Sequence, residues 1–497
     1  MRASKIMTLS WLGLCGLMLG MTSGCRHNGD AANLTFSIEG NQELTLTADS
    51  FSVLRNPCMG WGVYDDADDE VADADTYWAA QDSLGATRYA SFFYVRWRWA
   101  DMEPEEGCYA WQNDDNYRKL INGAIDRGLK LAFRIYFNGQ DNLHPGTPAF
   151  VRKAGAKGCL VGGHWTPYID DPTFREKFAR FVKAFAREYD NPSVVDFVDG
   201  LGAGWWGECH HLNLKDANRE VETLEWFTDL YGSSFRRVPL VMPVCSQFGA
   251  KIEMQIAHGV NGYGFRRDGL GSKWFLPQEK EHVLSLYPNV LLIGEQCYWK
   301  GDETDKVYFD DEQYHFTNWR EVLDATYQDA VDYHFNTLDL REPLEAGRWF
   351  RLAPDLVQAF VSHGGYRLYP KVLSLPKKMR LADTVCIGHR WENLGTGVLP
   401  NSDERWNGKY KVAFALLNEE GKVCKSYVDT QSDPGRFLNG TNVDYLFYIH
   451  INGLPKGHYH WAVAIVDTTE GNQPGIQLAT QGEKIQGWTK VATVTVE

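Results

Sequence analysis

The chain has 497 residues, with 50 Lys plus Arg against 65 Asp plus Glu and a formal net charge of −15. That length suits two or three domains, or one large barrel with an attachment, and a content of 44% hydrophobic and 23% charged residues excludes a disordered chain. The acidic balance argues against a nucleic-acid binder, which needs a basic face to neutralise phosphates.

The first residues read as an address. Arg2 and Lys5 make a short positive region, Ile6 to Met21 is mostly apolar, and the run ends in Met21-Thr22-Ser23-Gly24-Cys25. Such a run is too short for a comfortable membrane span and suits a signal peptide. Small residues before Cys25 resemble a bacterial lipoprotein signal, with Thr22 standing where Leu is commonest. The expectation is a signal peptide over 1–24, a lipid anchor at Cys25, and an outer-membrane location on the periplasmic face or the cell surface. Export implies an oxidising compartment. Besides Cys15 and Cys25, Cys58, Cys108, Cys159, Cys209, Cys245, Cys297, Cys386 and Cys424 lie scattered, with no C-x-x-C pair. Neither a zinc site nor a dense disulfide framework is indicated, and no pairing is assigned.

Residues 25–55 read as a linker with strand character, where Leu34, Phe36 and Ile38, then Leu44, Leu46 and Phe51, are set among polar residues. From 56 to 365 short apolar runs alternate with helix-like stretches. Eight strands are expected, at Met59–Tyr64, Tyr89–Trp97, Lys130–Phe137, Val194–Leu201, Val238–Val244, Gly262–Phe265, Val290–Ile293 and Tyr333–Leu338. Amphipathic segments between them include Asp115–Arg127, Asp171–Tyr189, Glu220–Leu230, Glu279–Leu286 and Asn318–Asp332, with Pro354–Ser362 closing the ring. Asp171-Pro172 marks a helix start and Gly128 a stop. Eight strand–helix units predict an α/β-class (β/α)8 TIM barrel. The acidic run Asp65–Asp75 lacks the Gly and final Glu of a calcium loop and reads as solvated. Over 366–497, strand-like runs at Val385–Trp391, Lys411–Leu417, Val443–Ile451, Tyr459–Val466 and Val491–Val496 are separated by turn residues, which predicts an all-β sandwich.

Active residues of such a barrel lie at the C-terminal strand ends and in the loops that follow. Strand 2 delivers Arg96, strand 3 delivers Arg134 and Asn138, and strand 4 runs into Gly204-Trp205-Trp206-Gly207-Glu208-Cys209-His210-His211. Strand 6 leads to Arg266, Arg267 and Asp268, strand 7 to Gly294-Glu295-Gln296, and strand 8 carries His334, Asn336 and Asp339. Glu208 and Glu295 stand out, each following an apolar strand and a glycine. Paired carboxylates are what glycosidic bond cleavage needs, one protonated to donate to the leaving oxygen and one ionised. Trp205 and Trp206 are expected to desolvate Glu208 into the neutral acid, and Arg134 to keep Glu295 ionised. With 18 Trp, 24 Tyr and 25 Phe, the chain is rich in groups that stack on sugar rings. Trp61, Trp205, Trp206 and Trp299 are the candidate platforms. Arg96, Arg134, Asn138, His210, Asp268 and Asn336 are candidate substrate contacts. His210 and His211 lack a third ligand at metal spacing, and no phosphate loop or G-x-S-x-G elbow occurs, so neither a metal nor a cofactor is expected.

Residues 96–111, RWRWADMEPEEGCYAW, resemble the W…EPEEGxYxW segment of clan A glycoside hydrolases, especially the family 42 β-galactosidase group. The resemblance implies an acid/base Glu after strand 4 and a nucleophilic Glu after strand 7, the slots of Glu208 and Glu295. Asn56-Pro57-Cys58-Met59-Gly60, the run Trp206-Gly207-Glu208-Cys209-His210 and Trp391-Glu392-Asn393-Leu394-Gly395 are similar to bacterial, often Bacteroidetes, lipoproteins that pair such a barrel with a β-sandwich of unknown function. The clan's Asn immediately before the acid, which holds the sugar 2-hydroxyl, is replaced here by Gly207. Either His210 or Asn138 takes that role or the analogy misplaces the acid, and an inverting reaction on the same barrel stays open. The favoured reading is a monomeric, lipid-anchored, retaining hydrolase of β-linked poly- or oligosaccharides. Its rivals are a non-catalytic glycan-binding lipoprotein and an envelope scaffold whose tryptophans are core.

Overall fold

A computed structural model of the chain describes residues 36–65, 71–138, 144–243, 254–298 and 315–497. The signal segment, Cys25 and Trp299 lie outside the described residues. Among the described residues no helix is long and apolar enough to cross a membrane.

The first strand, β1 (Asn41–Thr45), joins the C-terminal domain. Eight parallel strands then build the barrel: β2 (Gly60–Tyr64), β3 (Ala90–Arg98), β4 (Lys130–Tyr136), β5 (Val195–Asp199), β6 (Leu240–Pro243), β7 (Gly264–Leu270), β8 (Leu292–Gln296) and β9 (Thr337–Arg341). They are laddered in the order β8-β7-β6-β5-β4-β3-β2-β9. Helices α1 (Ala74–Leu84), α2 (Asp115–Asp126), α3 (Pro172–Tyr189), α4 (Glu220–Ser234), α5 (Pro277–Leu286), α6 (Trp319–Asp332), α7 (Pro343–Leu352) and α8 (Pro354–His363) belong to the outer layer. The (β/α)8 architecture expected from the alternating runs is present.

α3 shows how the local sequence makes these elements. Asp171 caps it by accepting from the backbone N–H groups of Thr173 and Phe174, and Pro172 occupies the first turn, where its missing N–H costs nothing. Phe174, Phe178, Phe181 and Phe185 recur at helical spacing and bury one face, with Phe174 and Phe178 packed on Phe137 and Phe185 on Phe133 of β4. α2 ends one residue before its expected limit, and Gly128, at φ +69°, donates its N–H back to Ile125.

The acidic run after β2 is not simply a solvated loop. Asp65 is buried and accepts from the Arg96 backbone N–H, Asp73 caps α1, and Asp75 pairs with Lys119.

The C-terminal domain is a sandwich of two sheets. One runs β1, β10 (Leu368–Pro376), β11 (Thr384–Asn393), β14 (Val443–His450), and the other contains β12 (Tyr410–Leu417), β13 (Val423–Asp429), β15 (Gly457–Asp467) and β16 (Trp488–Val496). β1 therefore carries the N-terminal segment into this domain as an edge strand. The sandwich core is continuous with the barrel lumen: Phe92, Ala132, Phe197, Val241 and Ile293 cluster with Leu368, Trp391, Phe414 and Trp461. The sandwich plugs the N-terminal end of the barrel. Arg405 donates there to the carbonyls of Phe235, Asn261 and Gly262.

Candidate active site

Alternation along the strands sorts side chains between lumen and helices. Phe92, Tyr94 and Arg96 of β3, Ala132 and Arg134 of β4, Phe197 and Asp199 of β5, Arg266 of β7, Ile293 and Glu295 of β8, and Asp339 and Arg341 of β9 fall on the inward set. The lumen is thus apolar near the plug and ionic near the C-terminal mouth.

Arg134 holds the two candidate carboxylates together. Its Nη1 donates to Glu208 Oε1 and its Nη2 to Glu295 Oε2, both at 2.8 Å. Arg266 repeats the bridge, with Nη1 at 2.6 Å from Glu295 Oε2 and Nη2 at 3.7 Å from Glu208 Oε1. Arg96 and Arg341 approach Glu295 Oε1 at 3.6 and 3.5 Å. Asp199 lies beneath, its Oδ2 2.9 Å from Arg266 Nε and 3.3 Å from Arg134 Nε. The two carboxyls are thus bridged by one guanidinium at the mouth.

Charge sets the protonation states. Burial pushes the Glu295 carboxyl up, but Arg134, Arg266, Arg341 and Arg96 outweigh it and hold Glu295 below the usual carboxylate range. Glu208 also falls below that range: burial is overcome by the hydrogen bond from His210, by Arg134 and Arg266, and by a hydrogen bond with Asp268. The expected neutral acid at Glu208 is therefore not found in the free site. Trp205 and Trp206 precede it on the same loop, but the His210 hydrogen bond and two guanidinium groups outweigh burial. Burial raises Asp199 to about 6 despite Arg266 and Arg134, and raises Asp339 to about 7 despite Arg341.

The loop after β5 is a tight irregular turn. Gly202, Gly204, Trp206, Gly207, Cys209 and His211 all have positive φ, from 51° at Trp206 to 83° at Gly204. For Trp206 this is a strained conformation, held by its carbonyl accepting from Arg134 Nη1 at 3.2 Å. Cys209 is disulfide-bonded, which ties the residue next to Glu208. At Gly207, φ is +75° and a Cβ would sit 3.1 Å from Arg134 Cδ and Tyr136 Cβ. An asparagine at this position would be strained at that φ and would press on the Arg134 side chain that bridges the carboxylates.

The other candidates divide. His210 faces Glu208, its Nε2 3.6 Å from Oε2, and its Nδ1 lies 2.8 Å from that of His211, whose ring stacks on Trp205 at 3.9 Å. Trp205 and Trp206 are half-buried on the same loop. Asp268 reaches Glu208 directly. Asn138 is 1% exposed beyond β4, and neither polar atom of its amide has a hydrogen-bond partner among the described residues.

Two expectations are corrected. Trp61 is buried in the wall, edge-on to Trp349 and Phe360 at 5.0 Å each, with Nε1 donating to Val357 O. It occupies the outward face of β2, so no sugar reaches it. Asn336 lies at the wrong end of the barrel, because the last strand runs Thr337–Arg341 rather than Tyr333–Leu338. Its amide donates to Cys58 O and Val398 O and accepts from Val398 N–H, sealing the plug.

Asp199, Arg266, Asp339 and Arg341 complete the site; the sequence puts Arg266 and Asp339 at strand ends without a role and does not mark Asp199 or Arg341. The available signal was charge inside otherwise apolar strands. A cavity of about 320 Å³ lies elsewhere, between α2 and α3 over Leu131 and Val195. Among the described residues no group of three or more His, Cys, Asp or Glu could hold a metal ion.

No family model and no curated protein matches the chain. Solved structures similar to it include the catalytic domain of a β-amylase from Paenibacillus polymyxa, with 11% identity, a TM-score of 0.42, and coverage of 62% of this chain and 99% of that one. An exo-β-1,4-mannosidase from Opitutaceae bacterium strain TAV5 has 13% identity, a TM-score of 0.41, and coverage of 65% and 58%. A GH30 endoxylanase from Clostridium papyrosolvens C71 has 11% identity, a TM-score of 0.38, and coverage of 82% and 97%. Likenesses this distant carry no functional weight, and the chemistry rests on the site itself.

Proposed function

We propose that the protein is a glycoside hydrolase acting on β-linked poly- or oligosaccharides with retention, anchored to the outer membrane by lipid on Cys25. The observation that carries this reading is the bridging of Glu208 and Glu295 by one guanidinium at the barrel mouth. Glu295, held ionised by four arginines, attacks the anomeric carbon while Glu208 delivers a proton to the leaving oxygen. Glu208 then takes a proton from water, whose oxygen displaces Glu295 and releases the sugar. Trp205 and Trp206 provide stacking faces.

Because Glu208 is ionised in the free site, it must bind a proton before or as the sugar enters. Its protonated fraction grows as pH falls, so the reading requires kcat/KM to rise from neutral pH toward acid.

A second reading draws on the same fact. A carboxylate pair saturated by arginines suits a capture site as well as a catalytic one, and favours a glycan-binding lipoprotein as the rival. Product release from a panel of β-glucans, galactans, mannans and xylans, compared for wild type, Glu208→Gln and Glu295→Gln, separates them. Hydrolysis lost in both variants supports the enzyme. Binding without hydrolysis in all three supports capture.

A further inference from the structure

The barrel is not closed by a backbone ladder all the way round. Seven strand pairs are laddered, but β8 and β9 have no strand ladder between them among the described residues. One main-chain bond, Asn336 N–H to Leu292 O at 2.8 Å, joins them at the plugged end. Above it the N–H groups on this edge of β8 are taken by side chains of β9. Gly294 N–H donates to Thr337 Oγ1 at 3.1 Å, and Gln296 N–H donates to Asp339 Oδ1 at 2.7 Å. Arg341 adds the reverse bond, donating from Nη2 to Gln296 O. Glu295 lies between the two stitched amides.

Register slips on both sides of this seam. β8 slips against β7 between Gly294 and Gln296, and β9 slips against β2 between Asp339 and Arg341. Such irregularities re-aim side chains beside active sites. The single ladder to β7 cannot fix the direction of Glu295 where that ladder itself breaks, so the fixing falls to the seam. Asp339 is 1% exposed and uses both oxygens: Oδ1 takes the Gln296 amide, and Oδ2 pairs with Arg341 Nε at 2.8 Å. Arg341, at φ +52°, is thereby aimed so that Nη2 lies 3.5 Å from Glu295 Oε1.

We propose that Asp339 is a positioning residue for Glu295, replacing the missing strand ladder by binding the Gln296 amide and orienting Arg341 onto the carboxylate. The inference rests on the hydrolase reading for its effect on rate, but the seam itself is testable without activity. Asp339 is buried beneath Glu295's strand edge, so its removal acts on kcat through geometry. A misplacement of about an ångström costs on the order of 100-fold.

The test uses the full chain with Asp339→Ala and Asp339→Asn, measuring kcat, KM and amide hydrogen exchange at Gln296. The expected result for Asp339→Ala is a kcat reduced about 100-fold with KM nearly unchanged, and a Gln296 amide that loses its protection. Asp339→Asn keeps an acceptor for the amide but not the charge for Arg341. It is expected to keep the protection and to lose roughly tenfold in kcat, with KM again nearly unchanged. If the alanine variant fails to fold, the asparagine variant alone decides on those three readings. Wild-type kcat in either variant, or unchanged Gln296 exchange in Asp339→Ala, would overturn the proposal. Glu295→Gln hydrolysing at the wild-type rate would instead overturn the hydrolase reading, and the exchange measurement would still decide the seam.

Discussion

The two halves of the barrel lumen are built from the same strands and do opposite things. Near the N-terminal end, Phe92, Ala132, Phe197, Val241 and Ile293 merge with the sandwich core into one apolar cluster. Two residues further along β4, β5 and β8, and four further along β3, the inward positions hold Arg134, Asp199, Glu295 and Arg96. The lower half needs shape only. The upper half carries charges whose burial is tolerated only through mutual pairing, and such networks are strongly destabilised when one member is removed. The sandwich secures the lower half, and the chemistry is confined to the upper.

The contrast can be broken from either side. Arg134→Met removes the cation shared by Glu208, Glu295 and Asp199 and is expected to cost about 3–5 kcal/mol in denaturant unfolding, together with activity. Phe197→Ala opens a cavity in the lower lumen at a comparable cost of about 3–5 kcal/mol. It should leave kcat nearly intact where the protein remains folded. Loss of activity in proportion for both variants would show that the halves are not functionally distinct.

A smaller effect is expected with pH. Asp199 and Asp339 are raised to about 6 and about 7, so the stability they confer is full below the ordinary aspartate value of 3.8 and is lost as pH climbs from there through those values. Glu208 and Glu295 are lowered, so their contribution is full above the ordinary glutamate range and lost as pH falls through it. The unfolding midpoint should therefore peak on the acid side of neutral, and Asp199→Asn should flatten the decline above it. A midpoint that rises steadily from pH 5 to 8 would contradict the assignment.

Asn336→Ala removes the amide that joins Cys58 and Val398 and should cost about 1–3 kcal/mol of stability with kcat unchanged. At the mouth, Trp205→Ala should raise KM about 3- to 10-fold, whereas Trp61→Phe should leave KM unaltered.

These substitutions also mark where sequence reasoning reached its limit. Eight strand–helix units and the sandwich were legible because apolar runs and turn residues alternate with little interruption. The strand 4 and strand 7 glutamates were legible because each follows an apolar run and a glycine. Trp61 was misplaced because period-two alternation does not say which face is inward. Asn336 was misplaced because Tyr333–Asn336 reads as apolar strand but is spent on a turn, with His334 at φ +61°. The ionised state of Glu208 was missed because its cations come from β4 and β7, and their convergence is a property of closure rather than of neighbouring sequence.

The most direct test of the central claim is to trap the glycosyl-enzyme. Wild-type protein incubated with a 2-deoxy-2-fluoro glycosyl fluoride, matched to the sugar it hydrolyses, is digested and its peptides are weighed. The account predicts one added glycosyl group on the peptide containing Glu295, and none in Glu295→Gln. Turnover without an adduct, together with a product of inverted anomeric configuration, would contradict it.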